Sequence, residues 1–428
     1  KRQPRNHKDW LKQPKMDYIS SECYNNYEIF QEEQKEIFSK VWIPMCHISE
    51  MRNKGDYRTT KIADKRVIAI NIDGENVQAY YNTNDIDYRS PAGTITYDGW
   101  ATTEEPLHCE VKHGGMVWVT LDPNPTMSVE QWTAGAFDCI ESAIDTYEME
   151  VFHYHKAVIN TNYKLWHDTN SEFYHDFMHY FNRVSGFNDE YFARKNIPFD
   201  NGHVNVSSFT VNYEEYEGFD DRGELSFPNL PPNQWYMVDL FPGFNFNLRG
   251  SAYRSDAVTP LGPNKVLIEF RGYGLKKDTP EERQTRIKHH NSIWGPFGRN
   301  LHEDLIGVAG QGTTMREGTE RRNVLHGRHE NQTIHDEVGM RHYYAEWGKH
   351  LGVNPERPLA AYGKSMEIIW SIWLTACFTS TDCRYQDVQW FDTKQQCVEM
   401  KLIHEDIPMD GDWKQVTYKC KPVGSKEA

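Results

Sequence analysis

The sequence predicts an α+β protein: a curved antiparallel sheet with helices on one face, preceded by a smaller β domain. Three observations carry this. Strand-like alternation fills separate runs, as at 204–211 and 265–271. Helical periodicity occupies longer stretches at 280–312 and 336–351. With 428 residues, 38% hydrophobic and 13% aromatic, the chain has the material to bury a core between such layers.

Taken in order, residues 1–40 form an N-terminal arm, helical toward its end, with Phe30, Gln34, Ile37 and Phe38 on one stripe. Residues 41–125 read as short strands: 66–70, a turn at Asp73-Gly74, then 77–81 and 115–121. Asp122-Pro123-Asn124-Pro125 breaks the chain, so a boundary falls near 125. Residues 126–357 hold the mixed sheet and helices. In this part Phe241, Phe244 and Phe246 read as packing within the sheet core. The rest, 358–428, reads as a small appended module. Its apolar run 366–377 looks like a secretory h-region but is internal and too short to span a bilayer. Cys377, Cys383, Cys397 and Cys420 crowd into it; they would pair in an oxidising compartment and are expected to stay reduced in a cytosolic setting.

The formal charge of −15 argues against nucleic acid or an anionic membrane as partner, because phosphate binding needs clustered Lys and Arg. No apolar run reaches the roughly 18 residues of a membrane span. Residues 1–15 are polar and basic, so the expected location is cytoplasmic. Gly363-Lys364-Ser365 lacks the earlier glycine of a phosphate-binding loop, which has Pro358 in its place. His289-His290 and Arg321-Arg322 are expected on a helix surface or interface.

The chemistry concentrates in 162–179. On one helix, His175 and His179 would stand at i and i+4, with Cβ atoms about 5–6 Å apart, which suits two imidazoles on one metal. Glu172 would share that face and could hold a ligating imidazole by its second N–H. Two histidines and one carboxylate on an octahedral metal leave three positions open, and Fe(II) so bound can accept dioxygen beside a substrate. A structural zinc would use the same pair with two further ligands, for which His153 and His155 are candidates.

At this point the sequence resembles the large (α) subunit of Rieske non-haem iron ring-hydroxylating oxygenases. Their catalytic segment matches Asn162-Tyr163-Lys164 followed by Glu172-Phe173-Tyr174-His175 and His179. The arm matches at 27–30, 37–38, 41–42 and 55–57, and Cys109–Val119 resembles the strand that leaves the family's cluster domain. The run 294–298 with Glu303-Asp304 resembles the segment that bears the third ligand, placing it on Asp304. The resemblance covers about 16–355. It implies a helix-grip (Bet v 1-like, START-like) catalytic domain and a residual Rieske-like β domain. It implies mononuclear Fe(II) on His175, His179 and Asp304, with Glu172 as the acidic bridge through which electrons reach the iron. It implies a trimer of α subunits, O2 and a small organic (aromatic or sulfonate) substrate, with electrons from a reductase or ferredoxin.

One departure is large. The family's [2Fe–2S] cluster is held by C-x-H and, later, C-x-x-H. Those ligands belong between Asn82 and Cys109, yet residues 82–100 contain no Cys and no His. Cys109 and His113 stand nearby, but two ligands do not hold a two-iron cluster. No cluster is therefore expected in this chain. Three readings follow: an oxygenase fed by an external donor, a non-catalytic or regulatory α-like subunit that assembles with a cluster-bearing partner, and a zinc-site hydrolase or structural protein.

Overall fold

Four consecutive strands, Gln234–Leu240, Phe244–Arg249, Ala252–Gly262 and Lys265–Leu275, pair antiparallel, each with the next. Met149–Ile159 adds to Lys265–Leu275 at one edge. Val204–Thr210 and then Asn196–Pro198 extend the other, making seven strands in all. The computed structural model describes residues 18–82, 93–94, 105–185, 187–211, 225–317, 323–327, 333–356, 370–391, 394–405 and 413–422. The chain divides into two units, 1–361 and 362–428.

The two faces of the large sheet differ in chemistry. One face carries Phe244, Phe246 and Leu248, all at most 1% exposed, and packs Phe246 against Trp118 and Phe137. This is the aromatic packing expected of the 241–247 run. The other face is polar and yet buried. Asp239, Asn245 and Asp256 are neighbours across three strands, as are Met237, Asn247 and Arg254. The helix Tyr163–Ser171 covers this face, placing Trp166 on Phe270 and His167 on Asp239. Burying charge is unfavourable unless partners compensate, so such a face calls for a reason.

The region expected to be helical over 280–312 is two helices, Pro280–Trp294 and Arg299–Glu317. Gly298 lies in the break, where an added Cβ would come within 2.4 Å of the Ile293 carbonyl oxygen, so only glycine fits without a shift. His289 and His290 are not on the surface as expected: they are 2% and 0% exposed. The Pro280–Trp294 helix turns them onto the sheet, where His289 meets Ser251 Oγ at 2.7 Å and His290 packs against Gly272. Val338–Leu351 is the last helix of this unit among the described residues and buries Tyr343, Tyr344 and Trp347.

In the arm, Tyr27–Glu33 is an α-helix capped by Asn26 and continued by one π-helical turn, Gln34–Phe38. Its buried stripe is Ile29, Glu33 and Ile37 with Phe38, so the expected places of Phe30 and Gln34 go to Ile29 and Glu33. An acid can sit there because Glu33 pairs with Lys164 and accepts from Trp347 Nε1 at 2.7 Å. Beyond the arm lie two small sheets. One is Ile43–His47, Met116–Thr120 and His108–Lys112. The other is Val77–Tyr81, Lys65–Asn71, Asp56–Ile62 and Gly93–Thr94. Most of 82–100, where cluster ligands belong, lies outside the described residues, as do Arg321, Arg322 and 363–365.

The second unit is a three-stranded antiparallel sheet with Trp370–Cys377 at its centre, flanked by Cys383–Phe391 and Gln415–Pro422, and a helix, Lys394–Glu405. The apolar run 366–377 thus supplies a central strand. Its cysteines are not reduced as expected: Cys377 bonds to Cys383 and Cys397 to Cys420. Cys377 and Cys383 are register partners at the end of a hairpin, which places their sulfurs together.

Candidate metal centre

Asn162 starts the helix that leads into the site, its side chain accepting from Lys164 N–H while Nδ2 donates to the Pro263 carbonyl at 2.7 Å. The α-helix stops at Ser171, and Glu172 is extended. Tyr174–Met178 is then a 3₁₀ turn, and His179 precedes a new helix, Tyr180–Ser185. The two histidines therefore do not share the single α-helix that their spacing suggested. Glu172 explains the break. Its carboxylate accepts from the backbone N–H of Tyr174 at 2.8 Å and of His175 at 3.2 Å, so this acid caps the tighter turn. The rings still meet edge to face with centroids 5.1 Å apart.

Asp304, from the helix Arg299–Glu317, completes the group. Its Oδ1 lies 2.9 Å from His179 Nε2 and 3.3 Å from His175 Nε2. Ligand atoms at right angles on a metal, each bonded at about 2 Å, stand about 3 Å apart. The far nitrogens are held as well: His175 Nδ1 by Glu172, and His179 Nδ1 by Glu303 at 2.7 Å. A carboxylate accepts the Nδ1 proton, so Nε2 is the nitrogen each ring would give to a metal that displaces its proton. Two Nε2 atoms and a buried carboxylate oxygen then face one point, and Asp304 Oδ1 has no well-angled hydrogen bond. A divalent cation suits that donor set, and iron fits it.

The electrostatics agree. Burial works against charge on His175, yet Glu172 and Asp304 outweigh it and hold the imidazole well above its usual range. Burial likewise opposes ionisation of Asp304, yet His179 and His175 hold it below the ordinary carboxylate range. The site thus draws positive charge to itself.

Asp176 is a competing carboxylate, whose Oδ1 is 3.8 Å from His175 Nε2. It is otherwise engaged, accepting from Asn182 at 3.0 Å and from Tyr191 at 2.8 Å, whereas Asp304 Oδ1 has no well-angled hydrogen bond. His153 and His155, the candidates for a zinc set, bond to each other at 2.8 Å on the Met149–Ile159 strand. Neither joins His175 in a group of three possible ligands among the described residues. His113 is stacked on Phe137 at 4.0 Å with Nε2 on Thr133, and Cys109 lies in the strand before it. A cavity of about 510 Å³ lined by His47, Gly114 and Met149 includes none of the three proposed ligands. Sequence reasoning missed Glu303. Its only signal was an acid beside Asp304.

Comparison with known proteins supports the same origin. Residues 146–352 match the ring-hydroxylating alpha subunit (catalytic domain) family. The methanesulfonate monooxygenase hydroxylase subunit alpha of Methylosulfonomonas methylovora is 54% identical over 405 residues, 84% of this chain and 97% of that protein. The 2-aminobenzenesulfonate 2,3-dioxygenase subunit alpha of Alcaligenes sp is 33% identical over 77% of this chain and 92% of that protein. Among solved structures, naphthalene 1,2-dioxygenase from Rhodococcus sp. bound to indole has the same fold, with TM-score 0.64 and 16% identity over 81% of this chain and 95% of that one. The chain belongs to the α subunits of the Rieske-type, ring-hydroxylating oxygenases.

Proposed function

We propose that this chain is the oxygenase component of a sulfonate monooxygenase, holding Fe(II) on His175, His179 and Asp304. The observation that carries it is the convergence of two imidazole Nε2 atoms on Asp304 Oδ1, with both Nδ1 atoms held by acids. Iron bound there would activate O2 for insertion into a C–H bond. Glu172 fixes the His175 tautomer, and its side chain is 17% exposed, so it links that ligand to the rim, as an electron bridge must. A sulfonate substrate accords with the names of the two relatives described above.

The electrons come from outside the chain. The basis is the lack of Cys and His in 82–100, where cluster ligands belong. A ferredoxin, a reductase or a cluster-bearing α subunit in a trimer would deliver them. The divisions at 40, 125 and 357, and a cytoplasmic location, belong to this reading. Among the described residues no helix is long and apolar enough to cross a membrane.

Hydroxylation of methanesulfonate would combine one CH3SO3⁻, one O2, two electrons and two protons to give HOCH2SO3⁻ and water. The product is the bisulfite adduct of formaldehyde. Iron-loaded protein supplied with ascorbate and phenazine methosulfate should consume O2 in proportion to methanesulfonate and release sulfite. The same protein should show no visible iron–sulfur absorption. Zinc retained through purification, with no sulfonate-dependent O2 uptake, would defeat the proposal.

A further inference from the structure

The buried polar face of the large sheet holds the strongest unexplained feature. Some of its groups are satisfied: Asp239 bonds Ser171 and His167, and Asn247 accepts from Trp235 at 2.6 Å. Asp239 Oδ1 has no hydrogen bond among the described residues, and two further side chains offer unpartnered donors. Arg254 is 2% exposed and its Nη1 has no hydrogen-bond partner among the described residues. Asn245 is 1% exposed and neither end of its amide has a partner there. Leaving buried donors unmade is expensive, so a native site with such donors is shaped for an acceptor that arrives from outside.

The geometry says which acceptor. Asp256 pairs with the Arg254 guanidinium, Oδ2 accepting from Nη2 at 2.8 Å while Oδ1 lies 2.8 Å from Nε without a well-angled hydrogen bond. A guanidinium has five N–H donors, so the end-on edge, Nη1 with the second hydrogen of Nη2, remains presented. Trp294 backs the group, with Cζ 4.8 Å from its ring centroid, so the fork is oriented. Asn245 stands opposite Asp256 in the strand register, on the same face, within reach of a small ligand on that fork. Trp294 ends the helix just before the one that bears Asp304, and the Asp304 charge acts on Asp256. Burial, more than that charge, lifts the Asp256 carboxyl to about 7 against the pull of Arg254.

We propose that Arg254, oriented by Asp256, and Asn245 anchor the sulfonate group of the substrate, and so select an anionic over a neutral molecule. This rests on the sulfonate reading above. Two sulfonate oxygens take the end-on edge of Arg254 and the third takes Asn245 Nδ2–H. The carbon to be oxidised is then directed away from the sheet. A neutral analogue of similar shape leaves the Arg254 donors unmatched and is rejected.

The test measures binding and iron together. Methanesulfonate and dimethyl sulfone are titrated calorimetrically into anaerobic iron-loaded protein, beside Arg254→Gln, Asn245→Ala and the double variant Arg254→Gln with Asp256→Asn. The wild type should favour methanesulfonate over the sulfone. Arg254→Gln should weaken methanesulfonate by about 30-fold or more with iron content unchanged. Asn245→Ala should weaken it by about 5-fold to 10-fold. The double variant, which removes the charge pair together, guards against loss of fold and should lose the preference too. Methanesulfonate affinity within twofold of wild type in iron-loaded Arg254→Gln overturns the anchor while leaving the oxygenase reading intact. Wild type that binds iron but not methanesulfonate overturns both. Wild type that binds methanesulfonate through Arg254 but consumes no O2 supports the anchor and refutes turnover.

Discussion

Glu303 Oε2 lies 2.7 Å from His179 Nδ1, while the next residue on the same helix, Asp304, lies 2.9 Å from Nε2 of that ring. Two consecutive acids thus hold opposite nitrogens of one imidazole. Glu303→Gln would keep the shape but weaken the acceptor for the Nδ1 proton. It should lower iron affinity by about 10-fold to 100-fold, read by competition with a coloured chelator, with the circular dichroism spectrum unchanged.

The two candidate carboxylates should separate cleanly. Asp304→Asn and His175→Ala should each abolish iron binding with the fold retained, as metal analysis and far-UV circular dichroism would report. Asp176→Asn should retain iron. It should instead cost about 1–3 kcal/mol of stability, because Asn182 and Tyr191 lose an anionic acceptor. Iron lost from Asp176→Asn and kept in Asp304→Asn would reverse the assignment.

The arm is tied to the catalytic part by a buried ion pair. Lys164 and Glu33 are both fully enclosed. Lys164→Met would leave Glu33 without its cation, and destabilisation of about 3–5 kcal/mol is expected in urea titrations. Exchanging both residues, as Glu33→Gln with Lys164→Met, should recover most of that loss.

His203 should make the fold acid-labile. Burial pushes its imidazole down to about 3, as its Nε2–H donates to the Trp132 carbonyl at 2.8 Å and Nδ1 accepts from Phe241 N–H. The folded value lies below the unfolded one, near 6.5, so its contribution is full above about 6.5 and is lost as pH falls toward 3. Between pH 7 and 5 this group alone should remove roughly 2 kcal/mol. His203→Gln should therefore flatten the fall of the urea midpoint over that interval.

The strands at 204–211 and 265–271 were legible because each alternates along its own length, and the hairpin turn at Asp73-Gly74 announces itself locally. The proposed metal ligands were named through spacing and resemblance, but their local geometry was not legible. The 3₁₀ turn depends on where the Glu172 carboxylate points, which spacing alone does not encode. The arm's stripe was misplaced because Glu33 reads as a surface acid until Lys164, 131 residues away, comes to meet it. Helical periodicity likewise could not tell that His289 and His290 face the sheet. Pairing of Cys377 with Cys383 follows from strand register, whereas Cys397 to Cys420 joins a helix to a strand, neither of which the cysteine spacing alone encodes.

The hydrophilic inner side of the large sheet carries a lesson for redesign. Arg254 and Asp256, two positions apart on one strand, work as a couple, so altering one strands its companion in a dry interior. Converting this scaffold toward hydrocarbons would require exchanging Arg254 and Asp256 in one step.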